Sequence, residues 1–116
     1  MTDPRGEDAR VRRIGLNESL FRSVNEQLEE LAVQVPEGDG KLDLVCECGR
    51  ADCTQRIRVE RAEYEALRSD PRLFAVVPGH QQPEAEEIVV HETGFDIVRK
   101  KPGIAADVAR ETDPRA

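Results

Sequence analysis

LDLVCECGRADCTQRIRV (residues 42–59) holds every cysteine of the chain, Cys46, Cys48 and Cys53, within eight residues. Apolar residues alternate into it at Leu42 and Leu44, and out of it at Ile57 and Val59, with Arg56 and Arg58 facing the other way. A period of two is the mark of a half-buried strand. The stretch therefore reads as strand, Cys-x-Cys-x4-Cys loop, strand: a hairpin with a zinc knuckle at its tip. Gly49 would permit the positive φ that such a curl often needs.

The chain around this hairpin has 116 residues, of which 35% are charged and only 3% aromatic; Phe21, Tyr64, Phe74 and Phe95 are the whole aromatic supply. The core must be small and built from Leu, Val and Ile. Cores of this kind often use a metal or a disulfide as a staple. No apolar leader or membrane-length stretch is visible, so a cytosolic chain with reduced cysteines is expected. An odd cysteine count also disfavours a disulfide scaffold, and this spacing points to metal or redox chemistry.

The net charge is −7. A nucleic-acid or anionic-membrane partner needs a basic face. Only the N-terminal Arg5, Arg10, Arg12 and Arg13 and the run Arg99-Lys100-Lys101 are locally basic. The charge balance disfavours both partners.

Residues 1–16 are polar and lack an apolar period, which predicts a disordered arm. Asn17 is a good N-cap, and Leu20, Phe21, Val24, Leu28, Leu31 and Val35 then recur at helical spacing. This face is expected to pack on the domain's own sheet, the competing reading being a partner-binding or dimerising helix. Pro36-Glu-Gly-Asp-Gly40 ends the helix. Strands follow at 42–46 and 55–60, then a short helix at 62–68 with Ala62, Ala66 and Leu67 inward. The apolar run 73–77 suits a buried strand and leads into Pro78-Gly79-His80, a turn able to aim the histidine backwards. Strands at 87–91 and 95–100 flank Thr93-Gly94, and a last helix covers 104–110 with Ile104, Ala105 and Val108 inward. Residues 113–116 should fray. The expected architecture is α+β: one domain over 17–112, a long amphipathic helix on a small, mostly antiparallel sheet, and two short helices.

Tetrahedral zinc takes four soft or borderline ligands. Cys46, Cys48 and Cys53 supply three. His80 is the first choice for the fourth, His91 the second, and Asp52 or water the third. The alternative is three reduced thiols packed as small hydrophobes. No phosphate-binding glycine loop, serine elbow, deaminase motif or zincin motif is present. The expected function is a non-enzymatic, zinc-stapled module that binds a protein partner. A redox- or zinc-responsive thiol regulator is the alternative from another class. A nucleic-acid-associated zinc module using the basic arm is a weaker third.

The Cys-x-Cys-x4-Cys loop resembles the post-SET zinc motif of lysine methyltransferases, in which three such cysteines bind zinc with a fourth ligand from elsewhere in the fold. The resemblance implies Cys46, Cys48 and Cys53 as ligands. It does not extend to a SET catalytic domain, so methyltransferase activity is not implied. From Asn17 to Arg115 the chain also resembles a group of small uncharacterised actinobacterial proteins. The shared features are Asn-Glu-x-Leu-Phe-Arg-x-Val-Asn-Glu (17–26), the cysteine loop, Glu-Tyr-Glu-Ala-x-Arg (63–68), Asp-Pro-Arg-x-Phe (70–74), Val-x-Pro-Gly-His (76–80) and a terminal Asp-Pro-Arg. The bias of 14 Arg to 3 Lys fits a GC-rich genome. That resemblance implies a cytosolic stand-alone domain.

Overall fold

A computed structural model describes residues 4–34 and 39–115. Helix α1 (Pro4–Gln34) is followed by β1 (Lys41–Val45), β2 (Arg56–Glu60), α2 (Arg61–Arg68), β3 (Leu73–Val76), β4 (Glu86–Glu92), β5 (Phe95–Lys100) and α3 (Ile104–Glu111). The fold is α+β, as the periodicities predict. The strands form two sheets instead of one: β1–β2, and β3–β5–β4, with every pairing antiparallel. Leu42, Leu44, Ile57 and Val59 face inward as expected, and pack with Tyr64, Leu67, Ala75 and Phe95.

Helix α1 departs from expectation at its start and on its inward face. It begins at Pro4, so residues 4–16 are helix and not a disordered arm. Ile14 is buried against Ala85 and Ala105, with Val11 packed beside them. A Cβ at Gly15 would lie 3.0 Å from Val108. These contacts with distant segments order a stretch whose own apolar pattern is too sparse to show. Asn17 is thus inside the helix and does not cap it; its side-chain amide donates to the Gly49 carbonyl at 3.0 Å.

The buried face of α1 is largely polar: Glu18, Ser19, Arg22, Asn25 and Glu29 point inward, while Leu20 and Leu31 are exposed and Phe21, Val24 and Leu28 are half-buried. The reason lies in what the helix covers. The Asn25 side chain donates to the Val45 carbonyl and accepts from the Val45 amide, both at 2.9 Å, and so extends the β1 hydrogen-bonding edge. Arg22 donates to the carbonyls of Pro71 and Ala109. Backbone groups removed from water need such partners, and leucines could not supply them. Val35 and positions 36–38 of the expected loop lie outside the described residues.

The inner side of α2 also differs. Tyr64, Leu67 and Arg68 are buried, and Ala62 and Ala66 are exposed. Helix α3 buries Ala105 and Val108 as expected, together with Ala106 and Ala109. The C-terminal segment is fastened through Arg115, which donates to Glu26, Glu29 and Glu65, and does not fray up to that residue. Two Asp-Pro-Arg triplets share one geometry: Asp70 Oδ1 accepts the Arg72 amide and Asp113 Oδ1 the Arg115 amide, each two residues on. Asx-turns of this kind explain the triplets as local punctuation.

Candidate metal centre

The hairpin of β1 and β2 continues one residue past β1, where the Cys46 amide donates to the Gln55 carbonyl at 2.9 Å. At the next residue the chain changes sheets: the Glu47 amide donates to the Ala75 carbonyl of β3, also at 2.9 Å. The backbone here is extended, so alternate side chains face opposite ways. Cys46 and Cys48 face the loop, and Glu47 points into the interior between the sheets. A turn closed by the Cys53 amide on the Arg50 carbonyl brings Cys53 back.

His80 arrives from the other sheet. Its amide donates to the Val77 carbonyl at 2.9 Å, and Gly79 has φ +90°. Proline at the second position and a positive-φ glycine at the third define a type II turn. The turn aims the imidazole back at the cysteines. Nδ1 of His80 lies 3.7 Å from Cys46 Sγ and 3.7 Å from Cys53 Sγ. Nε2 lies 3.5 Å from the side-chain amide nitrogen of Gln55.

Cys46, Cys48, Cys53 and His80 thus form one cluster, with all four ligand atoms within 4.8 Å of one another. Around tetrahedral zinc with the usual bond lengths, sulfur–sulfur edges are about 3.8 Å and sulfur–nitrogen edges about 3.6 Å. The 3.7 Å sulfur–Nδ1 distances match that edge. The donor types match too: three sulfurs and one imidazole are a common structural zinc set. Each sulfur also receives a backbone amide, from Val77 to Cys46 at 3.2 Å, from Arg50 to Cys48 and from Gln55 to Cys53. Amides aimed at all three sulfurs favour thiolates.

Among the three thiols, a hydrogen bond with Cys46 brings the Cys48 pKa down to about 5, against the opposing effect of burial. The same hydrogen bond, with burial, pushes Cys46 up. Burial also raises Cys53. Cys46 and Cys48 are buried, whereas Cys53 and His80 are half-buried. These two border a hollow of about 220 Å³ with Arg50, Asp52, Thr54 and Gln55.

The other two candidates for the fourth ligand are elsewhere. His91 is on β4, its side chain 77% exposed, and its Nδ1 pairs with Asp96 at 2.9 Å. Asp52 lies on the loop but outside the four-residue cluster. Gly49 is needed for a reason other than the one expected. It has no positive φ. A Cβ on it would fall 2.5 Å from Ile14 Cγ2, so glycine lets the loop lie against α1 without displacing that side chain.

The composition and spacing of the cysteines did not reveal the support behind them. The Glu47 carboxylate is fully buried and accepts from Arg68 at 2.9 and 2.7 Å, from Asn25 at 2.8 Å and from the Ala75 amide at 3.0 Å. Burial works to lower the Arg68 pKa, but the adjacent Glu47 carboxylate outweighs it and leaves it raised. The available signal was positional: an acid between two cysteines of an extended run must point away from them.

No described helix is long and apolar enough to cross a membrane. No protein-family model, curated protein or solved structure matches the chain.

Proposed function

We propose that the protein is a small zinc-stapled domain acting as a non-enzymatic interaction module. The observation that carries this reading is the Cys46, Cys48, Cys53 and His80 cluster, drawn from a loop on one sheet and a turn on the other. With four protein donors, a bound zinc would have no open position for substrate, which is the arrangement of structural sites. Its role would be to tie the β1–β2 hairpin to the segment after β3. Such a cross-link joins parts of the chain distant in sequence, so metal binding adds directly to folding stability.

Native mass spectrometry of protein purified without added metal, read beside circular dichroism after chelation, tests the reading. One zinc per chain, with a lower unfolding midpoint once it is removed, is the expected result. No bound metal and an unchanged midpoint would overturn it.

The half-buried position of Cys53 favours one second reading, a thiol switch. In that case two cysteine thiolates lose two electrons to hydrogen peroxide, which takes up two protons from solvent and leaves as two waters; the sulfurs join as a disulfide and the metal is released. Stoichiometric zinc release at low peroxide, reversed by reductant, marks the sensor. Retention of zinc marks the structural site.

A further inference from the structure

The face of α1 turned away from the domain carries an apolar stripe that no described residue covers. Leu16, Leu20 and Leu31 are 51%, 63% and 59% exposed, and Val24 between them is half-buried. At 3.6 residues per turn these four positions fall along one side of the helix over about 22 Å. Aligned apolar residues on a helix surface ordinarily mark a contact.

The charges beside the stripe are arranged by sign along the helix. Arg12 and Arg13 stand at its N-terminal end and Glu30 at its C-terminal end, all exposed. None of the three forms an ion pair among the described residues. Arg12 and Glu30 are eighteen residues apart, about five full turns, and so share one azimuth. If a second α1 lies antiparallel on the stripe, a two-fold axis near Phe21 sets Arg12 of one chain level with Glu30 of the partner subunit. The same pair repeats on the other side of the axis. A parallel arrangement would instead set arginine against arginine and glutamate against glutamate.

We infer that this surface pairs with the same surface of a second copy, antiparallel, to form an isologous dimer. Closed two-fold pairing of one self-complementary patch is the commonest form of soluble oligomer. The stripe shares no residue with the Cys3His cluster, and the inference stands whether or not zinc binds there. A contact confined to about four helical turns is small, which places the dimer among weak, concentration-dependent associations.

Sedimentation velocity of the full chain, from micromolar to near-millimolar protein, provides the test. The expected result is a shift with concentration toward twice the 13.0 kDa of the chain. Leu20→Glu, at an exposed position, should abolish the shift while leaving the circular dichroism unchanged. Arg12→Glu and Glu30→Arg should each weaken pairing about tenfold or more, and the double exchange should restore it. A monomer throughout, or a dimer that survives Leu20→Glu, overturns the inference. Co-sedimentation of the monomer with phosphatidylglycerol vesicles would assign the stripe to a lipid surface instead.

Discussion

Replacing Arg68 with methionine should unfasten the cysteine loop from behind. Methionine keeps most of the buried stem and removes the charge. Arg68 is 2% exposed and Glu47 fully buried, and their two hydrogen bonds are 2.7 and 2.9 Å. Removing one partner of a buried pair strands the other charge away from water, at a cost of about 3–5 kcal/mol. The guanidinium also lies 5.1 Å from the Tyr64 ring and 5.8 Å from the Phe74 ring, contacts that are lost with it. Glu47 keeps the Asn25 and Ala75 donors, which moderate the loss. The expected cost is therefore toward the lower end, about 3 kcal/mol, or roughly 12 °C in Tm for a chain of this size. Urea unfolding followed by circular dichroism at pH 7, with metal content matched, measures it. Most of that cost is the stranded carboxylate, so Glu47→Gln placed on Arg68→Met should recover stability. A cost below about 1 kcal/mol, or a double variant no more stable than Arg68→Met, would refute the reasoning.

Gly49→Ala should cost about 1–3 kcal/mol by overpacking against Ile14, and Ile14→Ala in the same chain should make that increment smaller; equal increments in both backgrounds, by urea unfolding, would count against the close approach. His80→Ala should weaken zinc binding by more than the roughly 10–100-fold typical of losing an outer-shell partner, whereas His91→Ala should leave it unchanged; competition with a chromogenic chelator reads both. Burial, then hydrogen bonding and repulsion from Glu65, raise Glu29 to about 7 against 4.5 when free. The folded state thus binds the proton more tightly. Its stabilising contribution is complete below pH 4.5 and is lost as pH rises to about 7. Glu29→Gln should flatten the fall in Tm across that window, and a parallel curve for the variant would contradict the assignment.

The features legible in the sequence were those whose signal is local. Leu42, Leu44, Ile57 and Val59 alternate with charged residues, so the hairpin and its inward face are written in a period of two. Val76-Val-Pro-Gly-His80 spells a type II turn, and that turn alone decides which histidine reaches the cysteines. The illegible features depend on partners far along the chain. Hydrophobicity assigns Leu20 and Leu31 to the inside of α1 and Ala62 and Ala66 to the inside of α2. The fold instead buries Glu18, Arg22, Asn25 and Arg68, because each meets a group that only tertiary structure brings near. Glu18 meets Lys100, 82 residues away. A glycine at position 49 of the loop suggests backbone freedom, whereas its role is to leave space for Ile14.

This interior is built on compensated charge. Glu18, Glu47 and Glu86 are buried with Arg22, Arg68 and Lys100. The three cations gather over one ring, with Arg22 4.8 Å, Lys100 5.6 Å and Arg68 5.8 Å from the centroid of Phe74. Burial, then repulsion from Glu86, holds Glu18 well above the usual carboxylate range. Interchangeable leucines can slide past one another, whereas Glu47 can meet Arg68, Asn25 and the Ala75 amide in one arrangement only. That arrangement fixes residues 46–48, and with them two of the three sulfurs. The Glu47 network and the Cys3His cluster therefore fasten the same crossing between the two sheets from opposite sides. Loss of either should loosen the crossing, and loss of both should cost less than the sum of the two single losses, because each loss already weakens the hold of the other.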